Sequence, residues 1–157
     1  HVMLTAGMRM AFDRGLEQLR AAGAEPLLCT PGHDNAPGPQ LLQVSASRFV
    51  ANAHLRDEVF GPVSLVVRCA HLSDVLAVLQ AIGGSLTATL WGVEEDTEDN
   101  RALVRAATAI AGRVLFSGVP TGVAVSAGQH HGGPWPASTA PASTAQPIRP
   151  GCATVIR

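Results

Sequence analysis

Val63-Ser-Leu-Val-Val-Arg-Cys69, Leu86-Thr-Ala-Thr-Leu90 and Arg113-Val-Leu-Phe116 are three short apolar runs that decide the fold class of this chain. The first is a continuous run rich in β-branched residues between a proline and a polar turn, which is typical of a buried strand. The other two runs are equally short and apolar, so each of them also predicts one strand.

Helical patterns separate the three predicted strands. Residues 72–82 carry apolar side chains at spacings of three and four, and Gly83-Gly84 ends that helix because glycine adopts the left-handed cap conformation without a Cβ clash. A second helix begins at Asp96 or Thr97 and runs to about residue 111, with Gly112 as its stop. The order after residue 60 is therefore β-α-β-α-β. This order predicts an α/β fold, a mostly parallel sheet with flanking helices.

The first sixty residues extend the same alternation. Residues 4–22 predict an amphipathic helix whose buried face is formed by Leu4, Met8, Phe12, Leu16 and Leu19. Residues 26–30 and 41–44 are short strand candidates, separated by a loop rich in Gly, Pro, Asn and Asp. Residues 47–55 predict a helical turn or two.

Composition excludes several classes of protein. A chain of 157 residues suits one domain, and its net charge of -1 argues against a dedicated nucleic-acid binder, which needs clustered positive charge. No apolar run reaches the roughly 18 residues of a membrane span. All eleven basic side chains are arginine, which excludes lysine-based chemistry within the chain. Three widely spaced cysteines form no disulfide framework, so we expect a reducing, cytoplasmic location and a buried thiol at Cys69.

Ligands of parallel α/β sheets bind beyond the carboxyl ends of the strands. In the predicted order two loops satisfy this rule, residues 58–62 and the long irregular stretch 117–138. Taken alone, Glu58 could equally cap a turn or lie in solvent, as most glutamates do.

Two other side-chain groups could carry chemistry. His130 and His131 are adjacent in a glycine-rich loop without a third ligand close in sequence, so we expect no metal site. Cys29 and His33 could form a thiol nucleophile with its base. The alternative for Cys29 is a small apolar residue at a strand end, and we favour that interpretation.

Several co-linear segments resemble a known family. Glu58-Val-Phe-Gly-Pro62 resembles the Glu-(Ile/Val)-Phe-Gly-Pro motif of the aldehyde dehydrogenase superfamily. Two later blocks are similar to the signature of its ketoglutarate semialdehyde (2,5-dioxovalerate) dehydrogenase branch, namely Gly112-Arg-Val-Leu-Phe-Ser-Gly-Val-Pro-Thr-Gly-Val-Ala-Val125 and His131-Gly-Gly-Pro-Trp-Pro-Ala-Ser-Thr139. Met3-Leu-Thr-Ala-Gly7 and residues 86–90 are also typical of that branch. The resemblance implies the C-terminal part of that family's catalytic domain, with a three-layer α/β/α fold.

The resemblance also implies roles for individual residues. Glu58 matches the glutamate whose carboxylate accepts hydrogen bonds from the nicotinamide ribose hydroxyls, and Phe60 matches the aromatic residue that packs near the nicotinamide. The chemistry is suitable, because an ionised carboxylate has two acceptor oxygens and a ribose diol has two donors. The positions that match residues lining the aldehyde entrance are Gly118, Pro120, Thr121 and Gly122.

The chain departs from the family pattern in two respects. Ser117, Val119 and Ala124 replace the usual Asn, Phe and Glu of the substrate loop, which leaves the exact aldehyde open. The family's nucleophilic cysteine precedes the segment that residues 3–7 match, so Cys29 does not correspond to it, and we expect no catalytic residue in this chain. We therefore predict a partial catalytic domain over residues 1–139, inactive alone. Residues 140–157 are predicted to be a flexible segment leading to a missing oligomerisation strand.

The reaction implied by the resemblance is the oxidation of a semialdehyde such as 2,5-dioxovalerate to a carboxylate, with NADP or NAD as cofactor. The expected partners are a small-molecule aldehyde and further copies of the parent protein in a homo-oligomer, without nucleic acid or membrane. The alternative from another class is a non-catalytic α/β module used for binding or oligomerisation.

Overall fold

The computed structural model of the chain describes residues 2–118 and the backbone of residues 152–156. Contacts between Cα atoms divide the chain into two compact units, His1–Val78 and Leu79–Arg157. Along the chain the elements are α1 (Ala6–Ala21), β1 (Glu25–Cys29), β2 (Gln40–Ser45), α2 (Ala46–Ala51), a 3-10 turn (Ala53–Arg56), β3 (Val63–Arg68), α3 (Leu72–Ile82), β4 (Ser85–Trp91), α4 (Glu98–Ile110), β5 (Ala111–Leu115) and β6 (Cys152–Ile156).

The first unit contains a three-stranded sheet in the order β1-β2-β3. β1 pairs with β2 in antiparallel orientation, with an irregularity between Pro26 and Leu28. β2 and β3 are parallel, in a register that runs from Gln40↔Val63 to Ser45↔Arg68. Such a parallel pair needs a crossover. Here the crossover is formed by α2 and the 3-10 turn, and α2 contacts both strands.

The second unit contains a parallel sheet in the order β5-β4-β6. The central strand, β4, is buried along most of its length, as expected for a parallel strand with neighbours on both sides. One face of this sheet packs on α4 in a small apolar core of Ala88, Leu90, Ala107 and Ala111, flanked by Val93, Val104 and Val114.

Side-chain caps mark the N-terminal ends of α1 and α4. Thr5 begins α1 by accepting a hydrogen bond from the Met8 N–H at 3.2 Å, and Thr97 begins α4 by accepting one from Asn100 at 3.2 Å. Of the two candidates for the second cap, the structure selects Thr97, since Asp96 instead pairs with Arg101 at 3.0 Å. The acidic residues Glu98 and Asp99 lie in the first turn of α4, where the helix dipole favours negative charge.

The α/β prediction is confirmed, and of the four strand pairings among the described residues three are parallel. Several local predictions were wrong. Gly112 does not stop α4 but lies inside β5, because the helix passes directly into the strand at Ala111. Leu4 precedes α1 and is 90% exposed, and Cys69 is half-buried. The run from β3 to β5 does not form one sheet, since β3 pairs with β2.

The predicted boundary between residues 139 and 140 stays a prediction. Residues 140–151 lie outside the described residues, while Cys152–Ile156 forms β6 and pairs with β4.

The burial pattern of the first sheet predicts unequal costs for two leucine truncations. Leu42 is fully buried on β2, whereas Leu28 on β1 is 66% exposed. We expect Leu42→Ala to lower the free energy of unfolding by ~2–5 kcal/mol through lost burial and a cavity. Leu28→Ala, the matched control, should change it by about 0.5 kcal/mol or less. Urea unfolding followed by circular dichroism measures both. Equal losses would contradict the described sheet.

Candidate functional site

The segment Glu58–Pro62 is a loop that joins the 3-10 turn to β3. Side chains alternate along it: Glu58 is exposed, Val59 is half-buried and Phe60 is 68% exposed. Glu58 and Phe60 therefore both present their side chains to solvent, while Val59 is partly covered by the protein. We call this segment the Glu58 loop.

The turn before the Glu58 loop is fixed by its own polar contacts. Asn52 Oδ1 accepts a hydrogen bond from the His54 N–H at 3.0 Å, and His54 Nδ1 lies 3.0 Å from Asp57 Oδ2. Arg56 Nη1 donates to the Val50 carbonyl at 3.0 Å. Leu55, in the middle of the turn, is only 3% exposed and anchors it in the core. Glu58 therefore follows a turn whose position is well defined.

The far end of the Glu58 loop is tied to the sheet. The Gln40 N–H donates to the Pro62 carbonyl at 2.8 Å, and the Val63 N–H donates to the Gly61 carbonyl at 2.8 Å. Gly61 has φ +155°, a conformation that residues with a side chain rarely adopt. A Cβ at this position would also collide with the ring of Phe12 on α1. Two independent constraints thus require glycine in the motif.

Helix α1 meets the Glu58 loop at a second glycine. A Cβ built on Gly15 would lie 2.9 Å from both methyl groups of Val59, which is closer than real Cβ contacts. Val59 therefore packs directly against the helix backbone at Gly15. The loop lies against α1 at two points, Gly15 opposite Val59 and Gly61 opposite Phe12.

The Glu58 carboxylate is available to a ligand. Within the part of the chain that the structure describes, its side chain forms no ion pair or hydrogen bond. The neighbouring Asp57 is instead engaged by His54. An exposed carboxylate with both oxygens free accepts two hydroxyl donors, and the adjacent ring offers an apolar surface for a planar group.

The rule that ligands bind beyond the carboxyl ends of parallel strands does not hold for the position of the Glu58 loop. The loop leads into the amino end of β3, not away from a carboxyl end. Its position depends on its contacts with α1 and the 3-10 turn. The second selected loop does follow the carboxyl end of a strand: Gly118 comes shortly after β5 and has φ +80°, which favours glycine. The other predicted substrate positions, Pro120, Thr121 and Gly122, lie outside the described residues.

The two alternative chemical sites lie only partly within the described residues, where Cys29 and His33 form no hydrogen bond with each other. Cys29 lies at the exposed end of β1, and its sulfur accepts a long hydrogen bond from Arg20 Nη2 at 3.8 Å. His33 uses its backbone in a turn with Ala36, and no hydrogen bond joins its ring to Cys29 among the described residues. His130 and His131 lie outside that part of the chain, within which no three His, Cys, Asp or Glu side chains could share a metal ion.

The acidic segment before α4 borders a shallow, open cavity of about 360 Å³. Its lining mixes charges, since Glu94, Glu95 and Asp96 face Arg101 and Arg105. Asp96 and Arg101 already pair, and the Asn100 amide donates to the Glu95 carbonyl at 2.8 Å. These polar groups at the N-terminus of α4 therefore have partners within the chain itself.

Comparison with known proteins shows which family the chain is similar to. It is 42% identical over 149 residues to alpha-ketoglutaric semialdehyde dehydrogenase 2 of Azospirillum brasilense, a match that covers 91% of this chain and 28% of that protein. It is 35% identical over 147 residues to alpha-ketoglutaric semialdehyde dehydrogenase of Acinetobacter baylyi, covering 88% and 27%. The chain is a relative of the aldehyde dehydrogenases. No family model matches it.

Solved aldehyde dehydrogenases share the fold. The NAD-dependent benzaldehyde dehydrogenase of Corynebacterium glutamicum superposes with a TM-score of 0.56 at 18% identity, over 73% of this chain and 23% of that one. Aldehyde dehydrogenase 21 of Physcomitrella patens, solved with the reaction product succinate, gives 0.60 at 15% identity, over 84% and 26%. The predicted family and fold class are confirmed, and the chain spans about 28% of the length of the curated relatives it matches. None of the described helices has both the length and the apolar character that crossing a membrane requires.

Sequence analysis missed the residues of α1 that hold the Glu58 loop. Gly15 was the available signal, because glycine inside a helix costs ~0.5–1 kcal/mol relative to alanine and so calls for a packing reason. The reason is a contact with Val59, 44 positions further along the chain (59 − 15), and no helical periodicity shows such a contact.

Cysteine reactivity tests the rejected thiol site. Burial, and after it the negative charge of Asp74, raises the pKa of the Cys69 thiol, so its reactive thiolate forms only at higher pH. We expect iodoacetamide at neutral pH to modify exposed Cys29 faster than Cys69, and at about the rate of free cysteine. Peptide mass spectrometry over time measures both rates. Roughly tenfold faster modification of Cys29 than of free cysteine would instead support an activated thiol.

Proposed function

We propose that this chain supplies part of the catalytic domain of an NAD(P)-dependent aldehyde dehydrogenase, which oxidises a semialdehyde such as 2,5-dioxovalerate to the carboxylate. The observation that carries the proposal is the Glu58 loop, held against α1 with an exposed aromatic ring and an exposed carboxylate that has no ion pair or hydrogen bond among the described residues. The similarity to two alpha-ketoglutaric semialdehyde dehydrogenases supports the substrate class.

In this proposal the residues of the chain bind and orient the cofactor. Glu58 accepts hydrogen bonds from the two hydroxyl groups of the nicotinamide ribose, and its negative charge strengthens both. Phe60 packs beside the nicotinamide and limits its rotation. When bound, the dinucleotide accepts a hydride from the substrate. Both side chains fit these tasks, because the carboxylate has no ion pair or hydrogen bond among the described residues and the ring is 68% exposed.

The substrate side of the proposal rests on the loop after β5. Gly118, Pro120, Thr121 and Gly122 are proposed to line the aldehyde entrance, with Gly118 at a backbone conformation suited to a tight turn. Either NADP or NAD serves as cofactor, the parent protein is a cytoplasmic homo-oligomer, and the nucleophile lies in another part of a longer polypeptide.

Substitution of Glu58 tests the proposed cofactor contact. In the longer polypeptide that contains this chain, Glu58→Gln keeps the shape of the side chain but removes its charge, so NAD(P)+ should bind ~10–100-fold more weakly, as expected for losing ~1.5–3 kcal/mol of charged hydrogen bonding. Isothermal titration calorimetry measures the dissociation constant. Glu94→Gln, another exposed glutamate outside the Glu58 loop, is the control and should bind normally.

Unchanged affinity in Glu58→Gln would contradict the proposed contact. A start codon directly before this chain in its gene, with no upstream coding sequence, would favour the alternative of a non-catalytic α/β module.

A further inference from the structure

We propose that Gly15 of α1 is a positioning residue for cofactor binding, because its missing side chain sets how deeply the Glu58 loop lies against the helix. This inference rests on the proposed function of Glu58 and Phe60. It adds a residue outside the motif and specifies how that residue acts, through Val59.

Glycine at position 15 makes α1 less stable than alanine would. The contact with Val59 explains why glycine is found there. Alanine favours a helix interior more than glycine does. At Gly15, however, a Cβ would lie 2.9 Å from each Val59 methyl group and 3.3 Å from the Val59 Cβ. Both methyl groups and the Cβ of Val59 thus occupy the space that the alanine methyl group needs.

Val59 cannot move aside by rotating. Its β-branched side chain carries two methyl groups on Cβ and is restricted at χ1, so rotation brings another substituent of Cβ towards the helix. The preceding turn is anchored by buried Leu55, and the following residues by Gly61 against Phe12 and by the Gln40–Pro62 hydrogen bond. An added Cβ at position 15 therefore moves the middle of the loop outward.

The middle of the loop is where the proposed cofactor contacts lie. Glu58 and Phe60 directly flank Val59 in sequence, so an outward shift of Val59 displaces both side chains together. A hydrogen bond to a ribose hydroxyl depends on oxygen–oxygen distances of about 2.5–3.0 Å, so a shift of a few tenths of an ångström weakens it. The helix backbone at Gly15 thereby determines the distance between the Glu58 carboxylate and the ribose hydroxyls.

The same helix contains a matched control. Gly7 also lies in α1, but a Cβ there would meet only Thr5 Oγ1, at 3.8 Å, an ordinary contact. Gly7→Ala and Gly15→Ala make the same chemical change in the same helix. They differ because Val59 lies opposite position 15 but not opposite position 7.

The first arm of the test uses the present chain and needs no cofactor. Backbone amide chemical shifts and hydrogen exchange at residues 58–61 and 63 are compared in Gly15→Ala, Gly7→Ala and the double variant Gly15→Ala/Val59→Ala. We expect Gly15→Ala to shift these amides and to speed their exchange about tenfold, Gly7→Ala to leave them unchanged, and the double variant to return towards the original values. Unchanged amides in Gly15→Ala overturn the inference.

The second arm uses the longer polypeptide and measures NAD(P)+ affinity and kinetics. Gly15→Ala should raise the dissociation constant and the KM of the cofactor about tenfold, while kcat at saturating cofactor and the KM of the aldehyde stay within about twofold. Val59→Ala in the same protein should restore most of the affinity, because truncating the valine makes room for the new methyl group. A merely destabilised fold would change all the parameters together.

The outcomes separate this inference from the proposed function. If Glu58→Gln weakens cofactor binding but Gly15→Ala does not, the Glu58 contact stands and the positioning role of Gly15 is wrong. If neither variant affects binding, both are wrong. If Gly15→Ala moves the loop and weakens binding while Glu58→Gln has no effect, the positioning role stands, and another group of the loop holds the cofactor.

Discussion

The contact on which the site depends is the close approach of the Glu58 loop to helix α1. Two glycines make it possible: Gly15 leaves room for Val59, and Gly61 leaves room for the Phe12 ring. Val59 packs against the helix, while its neighbours Glu58 and Phe60 are exposed. A single packing interaction between distant parts of the first unit therefore holds a loop that presents a carboxylate and an aromatic ring to solvent.

Much of the secondary structure could be predicted from the sequence because it depends on local patterns. The bounds of α3 were predicted residue for residue, and Thr97 was one of the two predicted caps of α4. Strand partners could not be predicted in this way. An apolar run predicts a strand but not its neighbour, so the pairing of β3 with β2 emerged only from the structure. Gly112 shows the same limit, since glycine ends many helices but here lies within a strand.

The candidate site was predicted in part. The motif at residues 58–62 was identified by its resemblance to a family, and the structure shows its two outward side chains exposed and its glycine under two constraints. The general rule about carboxyl ends of strands would not have found the loop, which enters β3 at its amino end. The part played by α1 could not be predicted, because a contact across 44 positions (59 − 15) leaves only an indirect mark, a glycine where the helix pattern favours another residue.

The central claim is that the Glu58 carboxylate binds the ribose next to the nicotinamide in a longer polypeptide. A crystal structure of that polypeptide with bound NAD(P)+ tests this directly, through the distances from the Glu58 Oε atoms to the two ribose hydroxyl oxygens. The account predicts a hydrogen bond of about 2.5–2.7 Å to each hydroxyl, with Phe60 beside the nicotinamide. A bound cofactor whose ribose is held by other residues, with Glu58 turned into solvent or paired with an arginine, would contradict it.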